Sequence, residues 1–244
     1  MLRLHLSSVK IFSSDKIQPL ALPSFPRPCP MSKTPQRARD TYHVGNLAPQ
    51  LLDAARQMLE EVGPTKLSLR AVSERVGVSA TAAYHHYANR AELVGQLAAQ
   101  GFRELAKVMR SDPGQLDGRQ KLRNASLAYF SFARRNPALY QLMFGPELAG
   151  NQMPPDYIEA RDTAFGQLKQ IMVEVLAEDL DSSEVRRAAL AAWSYTHGLA
   201  SLVIHGVLQF PAGTSDERFV DSTLQGFEHL FAISPGAPGP TSAD

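Results

Sequence analysis

The stretch from Leu67 to Leu93 reads Leu-Ser-Leu-Arg-Ala-Val-Ser-Glu-Arg-Val-Gly-Val-Ser-Ala-Thr-Ala-Ala-Tyr-His-His-Tyr-Ala-Asn-Arg-Ala-Glu-Leu. It predicts two short helices joined by a tight turn, then the start of a third. Ser68 can cap the first helix, whose apolar residues Leu69, Val72 and Val76 recur at helical spacing. Gly77 stands where the chain must enter the left-handed region, which other side chains resist. Ser79 can cap the second helix, with Val78 and Ala83 placed as a small hydrophobic staple. A helix, a short turn and a helix is the arrangement that lays its second helix into a DNA major groove.

That second helix has two unlike faces. Ala83 and Tyr87, four apart, are expected to face the core, while Ala80, Thr81, Tyr84 and His85 project on the other side. Ala and Thr can touch base edges and thymine methyls, and Tyr and His can bond phosphate oxygens. Asn89 can cap the third helix, and Arg90 stands at its start, where the helix dipole disfavours a cation and a nearby phosphate would account for one. Ala80, Thr81, Tyr84, His85 and Arg90, with the caps Ser68 and Ser79, are therefore candidate DNA-binding residues.

Taken whole from Leu47 to Leu97, this run resembles the DNA-binding signature of the tetracycline-repressor (TetR) family of bacterial regulators. The resemblance implies that Tyr84 and Arg90 contact phosphates and that Ala80, Thr81, Ala82 and His85 face the groove. The family often has glycine where Thr81 stands and lysine where Arg90 stands. The second departure keeps the charge; the first leaves base preference open.

The chain has 244 residues, 44% of them apolar, and a mean hydropathy of −0.20, the profile of a globular protein with material for a core. No apolar run approaches the roughly 18–20 residues of a membrane span. The formal net charge of +1 hides an asymmetry: residues 1–30 and 31–110 are net basic, and residues 111–244 are net acidic. A basic front suits approach to a polyanion. The single cysteine, Cys29, permits no intrachain disulfide, which fits a reducing cytoplasm.

Residues 1–30 are expected to be a disordered, proline-interrupted leader, with Met31 the expected natural start. Residues 31–45 form a basic arm in which Lys33, Arg37 and Arg39 are expected to track phosphates or enter the minor groove. Residues 46–92 make the helix-turn-helix domain, opened by Asn46 and a helix with Leu47, Leu51, Leu52, Ala55, Met58, Leu59 and Val62 on one face. Residues 93–233 form a helical body for ligand binding and dimerisation, and residues 234–244 a disordered tail. No segment alternates like a strand bounded by hairpin turns, so the fold is all-α.

In the body, a helix over 118–135 places Leu122, Ala125, Tyr129 and Phe132 inward, and Asn136-Pro137 starts a short helix to Phe144. The last two helices are the expected homodimer surface. One carries Ala188, Ala189, Ala191, Ala192, Gly198 and Ala200; the other opens with a Thr214/Glu217 capping box and carries Phe219, Val220, Leu224, Phe227, Leu230 and Phe231. Phe130, Tyr140, Met143, Phe144, Met172, Trp193 and His197 are large, adaptable side chains suited to an apolar ligand pocket. The Trp-Ser-Tyr-Thr-His-Gly run from Trp193 to Gly198 is similar to a TetR subfamily whose body carries a Trp…His-Gly motif. That similarity implies a dimeric, ligand-binding body.

No metal site, cofactor or enzyme activity is expected. His85 and His86 diverge on a helix, His197 and His205 lack a third ligand at zinc spacing, and no nucleophile elbow or phosphate-cradling loop occurs. The expected function is a ligand-responsive transcriptional regulator, a repressor binding palindromic double-stranded DNA as a dimer and released by a small apolar or amphipathic effector. A helical interaction module without DNA binding, or an all-α enzyme, are the competing readings.

Overall fold

In the computed structural model, residues 46–110, 116–148 and 154–232 are described. Cys29, Met31, the arm residues Lys33, Arg37 and Arg39, and the tail lie outside them. All regular structure among the described residues is helical: α1 (Leu47–Val62), α2 (Leu69–Val76), α3 (Ala80–Tyr84), α4 (Arg90–Met109), α5 (Gly118–Arg135), α6 (Pro137–Phe144), α7 (Pro155–Leu176), α8 (Ser183–Ile204) and α9 (Asp216–Ala232). No helix among them is long and apolar enough to cross a membrane.

The head is α1 to α3 with the start of α4. Gly63, at φ +75°, ends α1, and a short 3-10 turn over Pro64–Lys66 leads to α2. Ser68 Oγ accepts the Ala71 N–H and Ser79 Oγ accepts the Ala82 N–H, so each serine satisfies a donor at a helix start. Gly77 sits at φ +82°; its N–H reaches the carbonyls of Ser73 and Glu74, and the Val78 N–H that of Ser73. A side chain there would be strained, which is why a glycine ends α2. Leu51, Leu59, Leu69, Val72, Ala83 and Leu93 close the head core, and the Tyr87 hydroxyl donates to Ala48 O at 3.0 Å.

Helix α4 runs from the head into the body without a break, and its inward residues Leu93, Leu97, Phe102 and Leu105 are fully buried. Each such side chain contributes about 1.5–3 kcal/mol of burial. At Gly101 the helices α4 and α6 approach so closely that a Cβ would lie 2.5 Å from Met143 Sδ and 2.9 Å from Leu139 Cδ2. Asn136 marks the corner where α5 ends and Pro137 starts α6.

Helix α9 begins one residue later than the Thr214/Glu217 box requires. Ser215 Oγ accepts the Arg218 N–H, the Thr214 N–H closes a turn to Pro211 O, and Glu217 pairs with Arg123 instead. Two neighbouring hydroxyls compete for the cap, and tertiary ion pairs on Glu217 and Asp221 set the register.

Candidate nucleic-acid interface and ligand cavity

Helix α3 presents Thr81, Tyr84 and His85 to solvent, with Tyr84 52% exposed. Ser79 is exposed as well, and Ala80, Ala82 and Ser68 are half-buried. The opposite side is anchored by Ala83, at 0% exposure, and by Tyr87 one turn on. A five-residue helix held this way is a rigid platform whose free side carries a hydroxyl, a phenol and an imidazole.

Arg90 has protein partners. Its Nε donates to Leu67 O at 2.9 Å and its Nη2 to Pro64 O at 2.5 Å, so the guanidinium ties the start of α4 to the turn before α2. These two carbonyls account for a cation at a helix N-terminus without a phosphate.

Two links carry the head into the body. One is α4 itself. The other is Arg56 on α1, whose Nη2 donates to Asn136 Oδ1 at 2.8 Å and lies 3.5 Å from Glu104. Helix α6 is therefore tied to the head through Asn136, the residue just before its start, and ends, at Met143 and Phe144, in the wall of a cavity of about 530 Å³. Phe102, Leu148, Tyr157, Leu190, Trp193 and His197 form most of the rest of that wall, and Arg161 and Ser194 stand on it as polar groups. Phe144 holds the centre, edge-on to Phe102 at 5.2 Å and to the His197 ring at 4.5 Å.

Behind His197 lies a polar chain. Trp193 Nε1 donates to the Tyr129 hydroxyl at 3.3 Å; the Tyr129 and Tyr140 hydroxyls are 3.3 Å apart; both reach His197 Nδ1, at 3.0 and 2.6 Å. Burial pushes the Tyr129 phenol up to about 12 and raises Tyr140 further, so both keep their protons. Trp193 also stacks on Phe165 at 5.0 Å and separates the open cavity from a nearly filled space between α4, α5 and α7. A larger depression of about 1060 Å³ lies between α5, α8 and α9, but Arg123 crosses it to Asp221 and Glu217, so ion pairs occupy its wall.

Comparison with known proteins bears on both parts. The model for bacterial regulatory proteins of the tetR family matches residues 51–97, and that for a tetracyclin repressor-like C-terminal domain matches residues 122–227. The chain belongs to the TetR family. This TetR chain is 27% identical over 110 residues to the HTH-type transcriptional regulator Rv1816 of Mycobacterium tuberculosis, covering 44% of itself and 47% of that protein. It thus spans about half the length of the first curated relatives it matches. It is also 26% identical over 178 residues to the HTH-type transcriptional regulator YobS of Bacillus subtilis, covering 73% of itself and 85% of YobS. A solved structure of a Rhodococcus sp. RHA1 protein of unknown function superposes with a TM-score of 0.65 at 28% identity, over 78% of this chain and 98% of that one.

In this TetR body the cavity brings together Met143, Phe144, Trp193 and His197, with Tyr140 behind them, from α6 and α8. It does not bring in Phe130, which is fully buried on another side of α5 against Phe210 and Phe219, at 6.2 and 5.4 Å. Met172 is buried on α7 and lines neither this cavity nor the space behind Trp193. Tyr129, Phe102, Tyr157 and Arg161 are wall or support residues that the sequence did not single out as pocket. Tyr129 was legible only as an inward position of its helix.

Burial, and to a lesser degree the charge of His205, hold the His197 imidazole below its ordinary range. The unfolded chain then binds the proton more readily than the folded one near the ordinary histidine value of about 6.5. The stability this side chain provides is complete above that value and is lost as pH falls through its lower folded value. Urea midpoints of wild type and His197→Phe, followed downward from neutral pH, are expected to converge, because the variant lacks this proton uptake.

Proposed function

We propose that this protein is a homodimeric, ligand-responsive transcriptional regulator, a repressor that binds a palindromic operator and is released by a small apolar or amphipathic effector. The observation that carries it is the free side of α3, where Thr81, Tyr84 and His85 stand exposed on a helix fixed from behind. Two such heads about one DNA turn apart read two half-sites. Ser68 and Ser79 act as caps that place the neighbouring N–H groups, and Arg90 holds the head together rather than reading DNA. The arm residues Lys33, Arg37 and Arg39 add sequence-independent phosphate contacts.

Dimerisation uses the outward sides of α8 and α9. Leu190 and Leu202 are 58% and 44% exposed, and at Gly198 and Gly226 a side chain would meet open space. Phe219 and Val220 serve the subunit's own core; the side chains of Leu230 and Phe231 are outside the described set. Two heads on one dimer are what a palindrome requires.

Release follows the path from cavity to head. An effector against Phe144 displaces α6, whose preceding residue Asn136 is bonded to Arg56 of α1, and favours a head spacing that fits the operator poorly. The occupant needs only a differential affinity for that state.

The test is binding of the full chain to its own upstream DNA and to random DNA. Tyr84→Phe removes one phosphate hydrogen bond and is expected to weaken both about fivefold, the equivalent of about 1 kcal/mol. Thr81→Ala is expected to change preference at one base pair while leaving random DNA unaffected. Equal loss on both DNAs for both variants would remove the recognition role of α3.

A further inference from the structure

The polar chain behind the cavity has a direction. Trp193 N–H is only a donor, so the Tyr129 oxygen receives it and the Tyr129 proton must go onward. Its two acceptors within reach are the Tyr140 oxygen and His197 Nδ1. The Tyr140 proton has one short contact, to Nδ1 at 2.6 Å; its alternative, His197 O, is at 3.4 Å. If Nδ1 carried the hydrogen, two phenol protons would be left with the long contacts alone. With Nδ1 as acceptor every donor in the chain is used, and the neutral ring must carry its hydrogen on Nε2. Nε2 lies on the far edge of the ring from the phenols, and it has no hydrogen-bond partner among the described residues. His197 lines the cavity together with Phe102, Met143, Phe144, Tyr157 and Trp193.

We propose that this cavity takes an apolar molecule bearing an acceptor oxygen, a carbonyl or a carboxylate, received by a His197 Nε2–H that Tyr140 and Tyr129 hold in place. The inference rests on the ligand-responsive reading above and names the chemistry of its effector. An N–H donor with no partner among the described residues, on a mostly apolar wall, selects for an acceptor, because an apolar group placed there strips water from the N–H and returns nothing. It selects more strongly against a cation that can only donate. A volume of about 530 Å³ suits a ligand of ordinary small-molecule size. Arg161 on the same wall is paired with Asp162, which offsets its charge, so the Nε2–H, which a carbonyl and a carboxylate can both meet, sets the requirement. Tyr140 and Tyr129 are positioning residues: they act through His197.

The experiment uses the full chain and the fluorescence of Trp193, the single tryptophan, which forms part of the wall. Decanoate, decanamide and decylammonium have alkyl bodies of similar size and different heads. Decanoate or decanamide is expected to saturate the signal, with decylammonium at least tenfold weaker. The ratio of the first two, and its change in Arg161→Gln, separates a carboxylate ligand from a neutral carbonyl. His197→Phe keeps a ring and is expected to bring the acceptor probes down to the level of decylammonium. Nitrogen-15 spectra of the histidine-labelled protein should show Nε2 protonated and Nδ1 not, and Tyr140→Phe should mix the two tautomers. Equal binding of all three probes, saturation by none, or a proton on Nδ1 overturns the proposal. Operator binding measured without a probe reports separately on the regulator reading, so either can fail alone.

Discussion

Arg90→Ala is expected to destabilise the head by about 2–4 kcal/mol and to abolish operator binding near physiological temperature. The guanidinium spans two carbonyls, Pro64 O and Leu67 O, that close the turn between α1 and α2. Hydrogen bonds to charged groups contribute about 1.5–3 kcal/mol each, and the half-buried position reduces the sum. Losing the fork leaves Leu67 O short of its donor, while Pro64 O keeps the Leu67 N–H, and frees the start of α4 from the turn it braces. Arg90→Lys keeps the charge but offers a single ammonium in place of a planar fork, so it should recover part of the stability. Thermal unfolding measures the first effect, and the salt dependence of DNA binding, measured in the cold where the variant stays folded, separates the roles. A bracing residue lowers the unfolding temperature and leaves the slope of log K against log salt unchanged. A phosphate contact would leave stability intact and reduce that slope by about 0.9.

Phe102→Ala should cost about 3–5 kcal/mol, the range for truncating a fully buried aromatic ring. Phe102 is at 0% exposure, and its ring meets Phe144 at 5.2 Å and Tyr157 at 5.6 Å, both edge-on. The void cannot close easily, because α4 is already held against α6 at Gly101, one residue away. Urea unfolding is expected to show a lower midpoint at unchanged slope, since the surface exposed on unfolding barely changes. The same substitution enlarges the cavity and removes the support under Phe144. Well below the unfolding transition, operator affinity should stay within a few-fold of wild type, because the head core does not include Phe102. A cost below 1 kcal/mol would mean that this ring does not carry the wall.

Among the described residues the head was legible almost residue by residue. Ser68, Gly77, Ser79 and Asn89 act through contacts at most a few residues away, so their roles are written locally. Arg90 was not legible: its partners are 23 and 26 residues back, and a cation at a helix start suggests an outside anion until the carbonyls are seen. The pocket divided in the same way. Tyr140, Met143, Phe144, Trp193 and His197 come from two helices that motif and composition had already marked. Phe130 and Tyr129 are adjacent on α5, about 100° apart around the helix, and both sides of α5 are apolar there. Periodicity cannot say which side meets α8 and which meets Phe210 and Phe219.

By itself the sequence determined an all-α chain, a capped helix-turn-helix with a left-handed glycine between its helices, and the side of α3 that stays free. These follow from backbone sterics, capping and helical period, which act over a few residues. Only the tertiary structure decided that Arg90 braces a turn, that Phe130 belongs to another aromatic cluster, and that two phenols converge on one nitrogen of His197. Those outcomes depend on groups brought together from distant parts of the chain, and local spacing carries no record of such meetings.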